Sequence, residues 1–235
     1  MSDRLTVRDL FAGYGEIDII KAIDLHVKEK QIVTIAGTNG AGKSSLIRAI
    51  MGLLPRTRGE VIVNGQNILQ EPAEKRLLRG IGYVPQVHNV FGSLTVLENL
   101  QVIEHVDNSS QSIARMFDLF PALKARARVP AGYLSGGERQ QLAFARALIS
   151  SPSLLLLDEP SAALSPTLVE QVFARVRALP DLGVSVLMVE QRARHALAFS
   201  DYGYILDGGR VVLQGKAEKL LNDEDMARLY LGHGE

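Results

Sequence analysis

A glycine-rich segment contains the residue types that phosphate binding requires. Residues 37–45 read Gly-Thr-Asn-Gly-Ala-Gly-Lys-Ser-Ser. Glycines at this spacing let backbone N–H groups turn toward phosphate oxygens, while the lysine reaches the β and γ phosphates and the first serine ligates Mg²⁺. A connecting turn is the simpler alternative, but it does not explain the complete spacing. The segment predicts an ATP and Mg²⁺ site made by Gly37, Thr38, Asn39, Gly40, Ala41, Gly42, Lys43, Ser44 and Ser45.

Two adjacent carboxylates, Asp158 and Glu159, follow the apolar run Leu154 to Leu157. The run fits a buried strand better than a helical turn, because Ser-Pro-Ser and Asp-Glu-Pro bound it. Successive side chains on a strand point to opposite faces. We therefore expect Asp158 to hold Mg²⁺ beside Ser44 and Glu159 to polarise a water for attack on the γ-phosphate. Two solvated charges at a strand end are the alternative.

A third segment, Leu134-Ser135-Gly136-Gly137-Glu138, has the spacing of a helix capping box. Two glycines in a first turn weaken a helix by about 1 kcal/mol each relative to alanine. Such glycines are expected where a ligand approaches the bare N–H groups, and phosphate is the natural ligand at a helix start.

Hydrophobic periodicity predicts the elements that position these segments. The predicted strands cover residues 5–7, 23–27, 32–35, 154–157 and 184–189. The predicted helices cover residues 44–54, 109–119 and a segment that begins at Ser165-Pro166 and stops at Pro180. Thr95 and Glu98 have capping-box spacing.

Two turns predict hairpins, one at Asn64-Gly65 and one at Asp207-Gly208-Gly209. Alternating strands and helices indicate a mostly parallel α/β sheet, with an antiparallel β subdomain and a helical insert. We expect one domain over residues 1–235, with the helical subdomain at approximately 93–150.

The composition limits the function classes. The chain has 235 residues, 26 basic and 26 acidic, and no cysteine. A balanced charge disfavours nucleic acid as a ligand. No apolar signal core follows the first residues, which predicts a cytoplasmic protein, and the apolar runs are too short to cross a bilayer. Any role at a membrane is therefore expected to be peripheral, at its inner face.

Together these motifs resemble an ATP-binding-cassette (ABC) ATPase over essentially the whole chain. The resemblance implies a P-loop fold and a head-to-tail pair of subunits, in which residues 134–138 of one subunit meet the γ-phosphate held by Lys43 of the other. It also implies that Tyr14 stacks on adenine and that Gln86 contacts Mg²⁺ and the attacking water. A core tyrosine and a loop glutamine are the plain alternatives.

Two departures from the common family pattern point to one branch. Gln191 occupies the position of a γ-phosphate-sensing histidine, and Ser165-Pro166 replaces the usual aspartate. Both features, with the tail Tyr230-Leu231-Gly232, resemble the smaller ATPase of bacterial branched-chain amino-acid importers. Glutamine can donate and accept hydrogen bonds but cannot take a proton. His195 is a possible substitute sensor, although a packing or solvent-facing role is the simpler expectation.

The importer resemblance implies a second ATPase in a heterodimer, integral membrane permease subunits and, indirectly, an extracytoplasmic solute-binding protein. The expected permease contact is residues 86–100, including Val87, His88, Asn89, Val90 and Phe91. The transported solute would be a branched-chain or related amino acid or amide. A non-transport ABC ATPase, such as one for iron–sulfur assembly, is the alternative that chain length does not exclude.

Overall fold

The computed structural model describes residues 2–87, 89–104, 106–162 and 164–223. The strands are β1 (Asp3–Tyr14), β2 (Ile17–Lys28), β3 (Ile32–Gly37), β4 (Arg56–Val63), β5 (Gln66–Asn67), β6 (Ile81–Val84), β7 (Leu154–Asp158), β8 (Ser185–Val189), β9 (Tyr202–Asp207) and β10 (Arg210–Lys216). The α-helices are α1 (Lys43–Ile50), α2 (Ala73–Leu77), α3 (Val96–Gln101), α4 (Ser109–Leu119), α5 (Pro121–Ala125), α6 (Gly136–Leu148), α7 (Pro166–Ala178), α8 (Ala193–Ala198) and α9 (Ala217–Leu221).

A largely parallel sheet has the strand order β10-β9-β3-β8-β7-β6. Strand β3 pairs in parallel with β8 and β9, and β7 pairs in parallel with β6 and β8, whereas β10 is antiparallel to β9. Every residue of β3, β7 and β8 is buried, which explains their continuous apolar sequences. The carboxyl ends of these three strands meet at one edge of the sheet, where Asp158 pairs with Val189.

A separate antiparallel sheet has the order β2-β1-β4-β5. Asn64 and Gly65 make its predicted turn, with φ of 51° and 79°. The sheet shares one hydrophobic core with α1 and one face of the parallel sheet. The predicted antiparallel subdomain is therefore confirmed, although β1 and β2 are longer than their alternating sequences indicated.

Helices α3 to α6 cover the opposite face of the parallel sheet and form a second hydrophobic core with it. The predicted helix at 109–119 is confirmed as α4, and Thr95 and Glu98 form the predicted capping box of α3. Helix α7 begins at Pro166 and ends at Ala178, close to the predicted stop at Pro180, and a 3₁₀ turn from Leu179 to Leu182 follows it.

Helix α1 ends at Ile50, earlier than the predicted position at residue 54. The reason is Gly52, which takes φ of 71° and closes the helix before Pro55. Within the described ranges, none of the helices has the length and apolar character needed to span a bilayer. The tail motif at 230–232 lies outside the described residues.

Candidate nucleotide site

The segment between β3 and α1 forms a compact loop around the Lys43 side chain. Lys43 Nζ donates hydrogen bonds to the carbonyl oxygens of Gly37 and Thr38, both at 3.0 Å. The side chain is only 5% exposed. This burial lowers the pKa of Lys43, while the negative charges of nearby carboxylates, Glu159 first, act to raise it.

The tip of this loop leaves space for a ligand. Gly40 has φ of 80°, and a β-carbon placed on it would meet none of the described residues within 4 Å. Thr38, Asn39 and Gly40 are exposed, whereas Ala41 is buried and Ser45 half-buried. Gly42 caps α1 in the left-handed conformation, with φ of 101°. The loop thus joins a helix N-terminus to an open surface, as a phosphate cradle requires.

Ser44 and Asp158 are in direct contact. Ser44 Oγ donates a 2.7 Å hydrogen bond to Asp158 Oδ1. Asp158 is only 1% exposed, and among the described residues its Oδ2 has no hydrogen-bond partner. Burial raises the pKa of Asp158, and the Ser44 hydrogen bond opposes this rise. A buried carboxylate oxygen without a partner, beside a serine hydroxyl, fits the oxygen ligands that Mg²⁺ prefers.

Glu159 lies just beyond β7 and has a left-handed backbone, with φ of 47°. Its separation from Asp158 therefore comes from this turn rather than from strand alternation, which corrects the reasoning from sequence. Glu159 Oε2 accepts a 2.7 Å hydrogen bond from Gln86 Nε2. Burial raises the pKa of Glu159, the charge of Lys43 lowers it, and Asp158 raises it further.

Ser135 begins α6 through the predicted capping box. Glu138 Oε2 accepts from the Ser135 N–H at 2.8 Å, and Ser135 Oγ accepts from the Glu138 N–H at 3.3 Å. The Ser135 hydroxyl uses its oxygen in this contact, so its proton can still be donated to a ligand. These hydrogen bonds join Ser135 and Glu138 to each other rather than to the Lys43 loop. Leu134, just before the cap, is buried.

The two glycines of α6 differ in what they contact. A β-carbon on Gly137 would lie 2.6 Å from Leu168 Cδ2, whereas one on Gly136 would meet, among the described residues, only Leu164 Cδ2 at 4.0 Å. Packing against α7 therefore explains Gly137 without a ligand, which corrects the sequence argument at that position. Gly136 remains open to the approach of a ligand, as expected from the sequence.

Three other residues singled out from the sequence differ in exposure and contacts. Tyr14, at the end of β1, is 48% exposed, so its ring is available to a ligand. Gln191 follows β8 and its side chain is exposed. His195 Nε2 lies 2.8 Å from Glu170 Oε1, and its ring packs 5.2 Å from that of Phe173. These contacts agree with the expected packing or solvent-facing role of His195.

The predicted permease segment is only partly exposed. Val87 and Phe91 are exposed, as expected, but Asn89 and Val90 are half-buried, which corrects that expectation. The reason is α6, because Arg146 Nη1 donates to the Asn89 carbonyl oxygen at 2.6 Å. His88 lies outside the described residues.

Sequence motifs did not single out Glu190, a buried carboxylate directly after β8. It is 1% exposed and hydrogen-bonded to the backbone beyond β7. A charged residue directly after a continuous apolar strand is the one signal that could have identified it.

The strand–loop–helix around Lys43 and the two carboxylates at the end of β7 define a P-loop nucleotide-binding protein. The family model described as "ABC transporter" matches residues 20–162. The chain belongs to the ABC transporter ATP-binding family, whose members are ATPases.

Curated relatives cover nearly the whole chain. A probable branched-chain amino acid transport ATP-binding protein LivF of Archaeoglobus fulgidus is 42% identical, covering 95% of this chain and 96% of the relative. The high-affinity branched-chain amino acid transport ATP-binding protein BraG of Pseudomonas aeruginosa is 38% identical, with 93% and 95% covered. The lipopolysaccharide export system ATP-binding protein LptB of Escherichia coli is 32% identical, with 97% of each covered.

Solved structures support the same fold. The ADP conformation of MJ1267, an ATP-binding cassette of an ABC transporter, superposes with a TM-score of 0.84 at 23% identity, covering 99% of this chain and 100% of that one. A dimeric post-hydrolysis state of the cassette MJ0796, bound to ADP and Pi, gives a TM-score of 0.77 at 25% identity, with 91% and 98% covered. The predicted mixture of parallel sheet, antiparallel subdomain and helical insert is confirmed.

Proposed function

We propose that this chain is the ATP-hydrolysing subunit of an ABC importer for branched-chain amino acids or related amino acids and amides. The ATPase part rests on the contact between Ser44 and Asp158, which places a hydroxyl and a buried carboxylate beside the Lys43 loop. The choice of solute is supported by the two relatives named for branched-chain amino acid transport. Gln191 and Ser165-Pro166, which resemble the same branch, agree with it.

We assign roles to the Lys43 loop and to the side chains around it. The backbone N–H groups of residues 37–45 bind the phosphates, and Lys43 Nζ exchanges its two carbonyl partners for phosphate oxygens. Ser44 and Asp158, with Gln86 nearby, would hold Mg²⁺, which supplies charge neutralisation at the phosphates. Tyr14 stacks on the adenine base.

Glu159 is the proposed general base. Its carboxylate is half-buried beside Lys43, and Gln86 Nε2 already orients it through one oxygen. The other oxygen is left to accept a proton from the attacking water. Gln86 also connects this carboxylate to the segment that leads into the helical part of the chain.

The second half of the site is proposed to come from another subunit. Ser135 can donate its hydroxyl proton, and the start of α6 offers unpaired N–H groups beside the open face of Gly136. In a head-to-tail pair these groups meet the γ-phosphate held by the other subunit's Lys43 loop. The in vivo pair is proposed to be a heterodimer of similar ATPases.

A cleft of about 880 Å³ between α2, β6 and α6 is the proposed permease contact. Its walls include the exposed side chains of Leu53, Leu77, Leu78 and Val102. Exposed apolar groups at a cleft with a polar rim are typical of protein interfaces. Docking there would hold the chain peripherally at the inner face of the membrane.

Co-purification from membranes tests the transport assignment. The tagged chain, purified from membranes of its native host, should retain integral membrane permease subunits. Leu78→Asp in the cleft should release them, whereas Leu182→Asp, on an equally exposed leucine outside the cleft lining, should not. Retention by both variants would place the permease elsewhere, and the absence of any membrane subunit with the wild type would refute transport.

Reconstitution separates the candidate solutes. In proteoliposomes containing the permeases and the solute-binding protein, leucine, isoleucine or valine should raise ATP hydrolysis above the solute-free rate. Stimulation by lipopolysaccharide instead would place the chain with the exporter relatives, and no stimulation by any amino acid or amide would refute the proposed solute class.

A further inference from the structure

Glu190 is a buried carboxylate that contacts both the side chain and the backbone of Ser161, and the backbone of Gln191. Its Oε1 accepts a 2.9 Å hydrogen bond from the N–H of Ser161, and its Oε2 accepts from the N–H of Gln191 at 3.2 Å. The charge of Glu159 raises the pKa of Glu190, and the charge of Glu190 in turn raises the pKa of Lys43. The side chain therefore joins the turn beyond β7 to the first residues beyond β8.

The turn beyond β7 contains Glu159, whose backbone conformation is rare for a residue with a side chain. Such a conformation persists only where its surroundings impose it. The Glu159 N–H donates to the Val189 carbonyl oxygen at 3.0 Å, and the Ala162 N–H donates to the Glu159 carbonyl oxygen at 3.0 Å. The hydrogen bond from Ser161 to Glu190 adds a second attachment between this turn and the end of β8.

We propose that Glu190 is a positioning residue that holds the Glu159 turn and Gln191 in a fixed relation, so that both side chains face the same γ-phosphate. This inference rests on the proposed ATPase function. Glu190 itself does not need to touch the nucleotide, because it acts through the backbone N–H groups of Ser161 and Gln191, together with the Ser161 side chain. This positioning role requires both oxygens of the ionised Glu190 carboxylate, because each accepts one of the two N–H groups.

Glu190→Gln tests that requirement with almost no change in size. The amide oxygen can accept one of the two N–H groups, but the amide nitrogen is a donor and opposes the other. We expect kcat to fall about 10–100-fold, because small displacements of catalytic groups have effects of that order. The KM for ATP should stay within about twofold, since the Lys43 loop keeps its own contacts.

Asp201→Asn is the matched control. Asp201 also accepts two hydrogen bonds, from the Ile32 N–H at 2.8 Å and from Arg177 Nη1 at 3.0 Å, at the other end of β3. It should keep wild-type kcat. Equal losses in both variants would show that kcat follows general stability, and would overturn the positioning role.

Two further measurements make each outcome decisive. Hydrogen–deuterium exchange should show faster exchange at the Ser161 or Gln191 amide in Glu190→Gln, and unchanged protection at both would overturn the proposal.

If that variant does not fold, Glu190→Asp, which is shorter by one methylene, should show the same loss of kcat at constant KM. Wild-type kcat in a folded Glu190 variant, with Glu159→Gln inactive, refutes only the positioning role. An inactive wild type refutes the ATPase function itself.

Discussion

Gln86 Nε2 and Glu159 Oε2 are 2.7 Å apart and join the segments that follow the neighbouring strands β6 and β7. This contact fixes one carboxylate oxygen of Glu159 and links it to the segment beside the proposed permease cleft. Asn89, three residues beyond Gln86, lines that cleft. A permease movement that displaced this segment would therefore reach the proposed general base through a single side chain.

Replacing Gln86 by alanine should lower kcat more than it changes stability. The side chain is exposed, so its loss should change the free energy of unfolding by less than about 0.5 kcal/mol. The freed Glu159 carboxylate would lose its orientation, and we expect kcat to fall about 10–100-fold. Gln66→Ala, which removes an exposed glutamine bonded to Arg79, is the matched control and should keep wild-type kcat. Steady-state phosphate release measures both, and equal rates in the two variants would contradict a role for Gln86.

The two glycines of α6 should respond differently to alanine. Gly137→Ala places a methyl group against Leu168 and should lower the free energy of unfolding by about 1–3 kcal/mol, with partial recovery in Gly137→Ala/Leu168→Ala. Gly136→Ala has no such neighbour, so stability should be unchanged or higher by up to about 1 kcal/mol, while ATP hydrolysis falls. Urea unfolding and ATPase assays distinguish the two. Full activity in Gly136→Ala would argue against phosphate approach at this helix start.

Stability without nucleotide should depend on the ionisation of Glu190. Burial raises its pKa above the ordinary value of 4.5. The favourable contribution of the protonated form is complete below 4.5 and is lost as pH rises through the higher folded-state pKa. The free energy of unfolding of Glu190→Gln, relative to wild type, should therefore rise with pH, by at most about 1.4 kcal/mol per pH unit. Chemical unfolding of both proteins at several pH values from 4.5 upward measures this difference in the free energy of unfolding. A difference that does not change with pH would contradict the raised pKa of Glu190.

The sequence predicted which residues meet at the candidate site better than it predicted their local geometry. Residue types and spacing singled out Lys43, Ser44 and Asp158, since a phosphate loop and an apolar strand ending in carboxylates are local patterns, and Ser44 and Asp158 are in contact in the structure. The left-handed turn at Glu159 was not predictable, because hydrogen bonds to Val189 and Glu190, about thirty residues away, are what hold it. The contact between Gly137 and Leu168 is also non-local, so the glycine was attributed to a ligand alone. The end of α1 differs from the predicted end because a single residue, Gly52, closes the helix.

Mixing two inactive variants tests the shared site. Lys43→Ala removes the phosphate-binding amine, and Ser135→Arg blocks the start of α6, so each variant alone should be inactive. In a head-to-tail dimer that contains one of each, one site carries both changes and the other carries neither. An equimolar mixture should regain about a quarter of wild-type activity, because half of the dimers are mixed and each keeps one intact site. No recovery, in a mixture shown to form mixed dimers, would contradict the shared site.

Single-turnover hydrolysis in Glu159→Gln tests whether this chain hydrolyses ATP with Glu159 as the base. The substitution keeps the size and the contact with Gln86 but removes the proton acceptor. We expect ATP binding to be retained and the rate to fall about 10²–10⁴-fold, whereas Glu60→Gln, outside the site, should keep the wild-type rate. A Glu159→Gln rate within a few-fold of wild type would show that Glu159 is not the base.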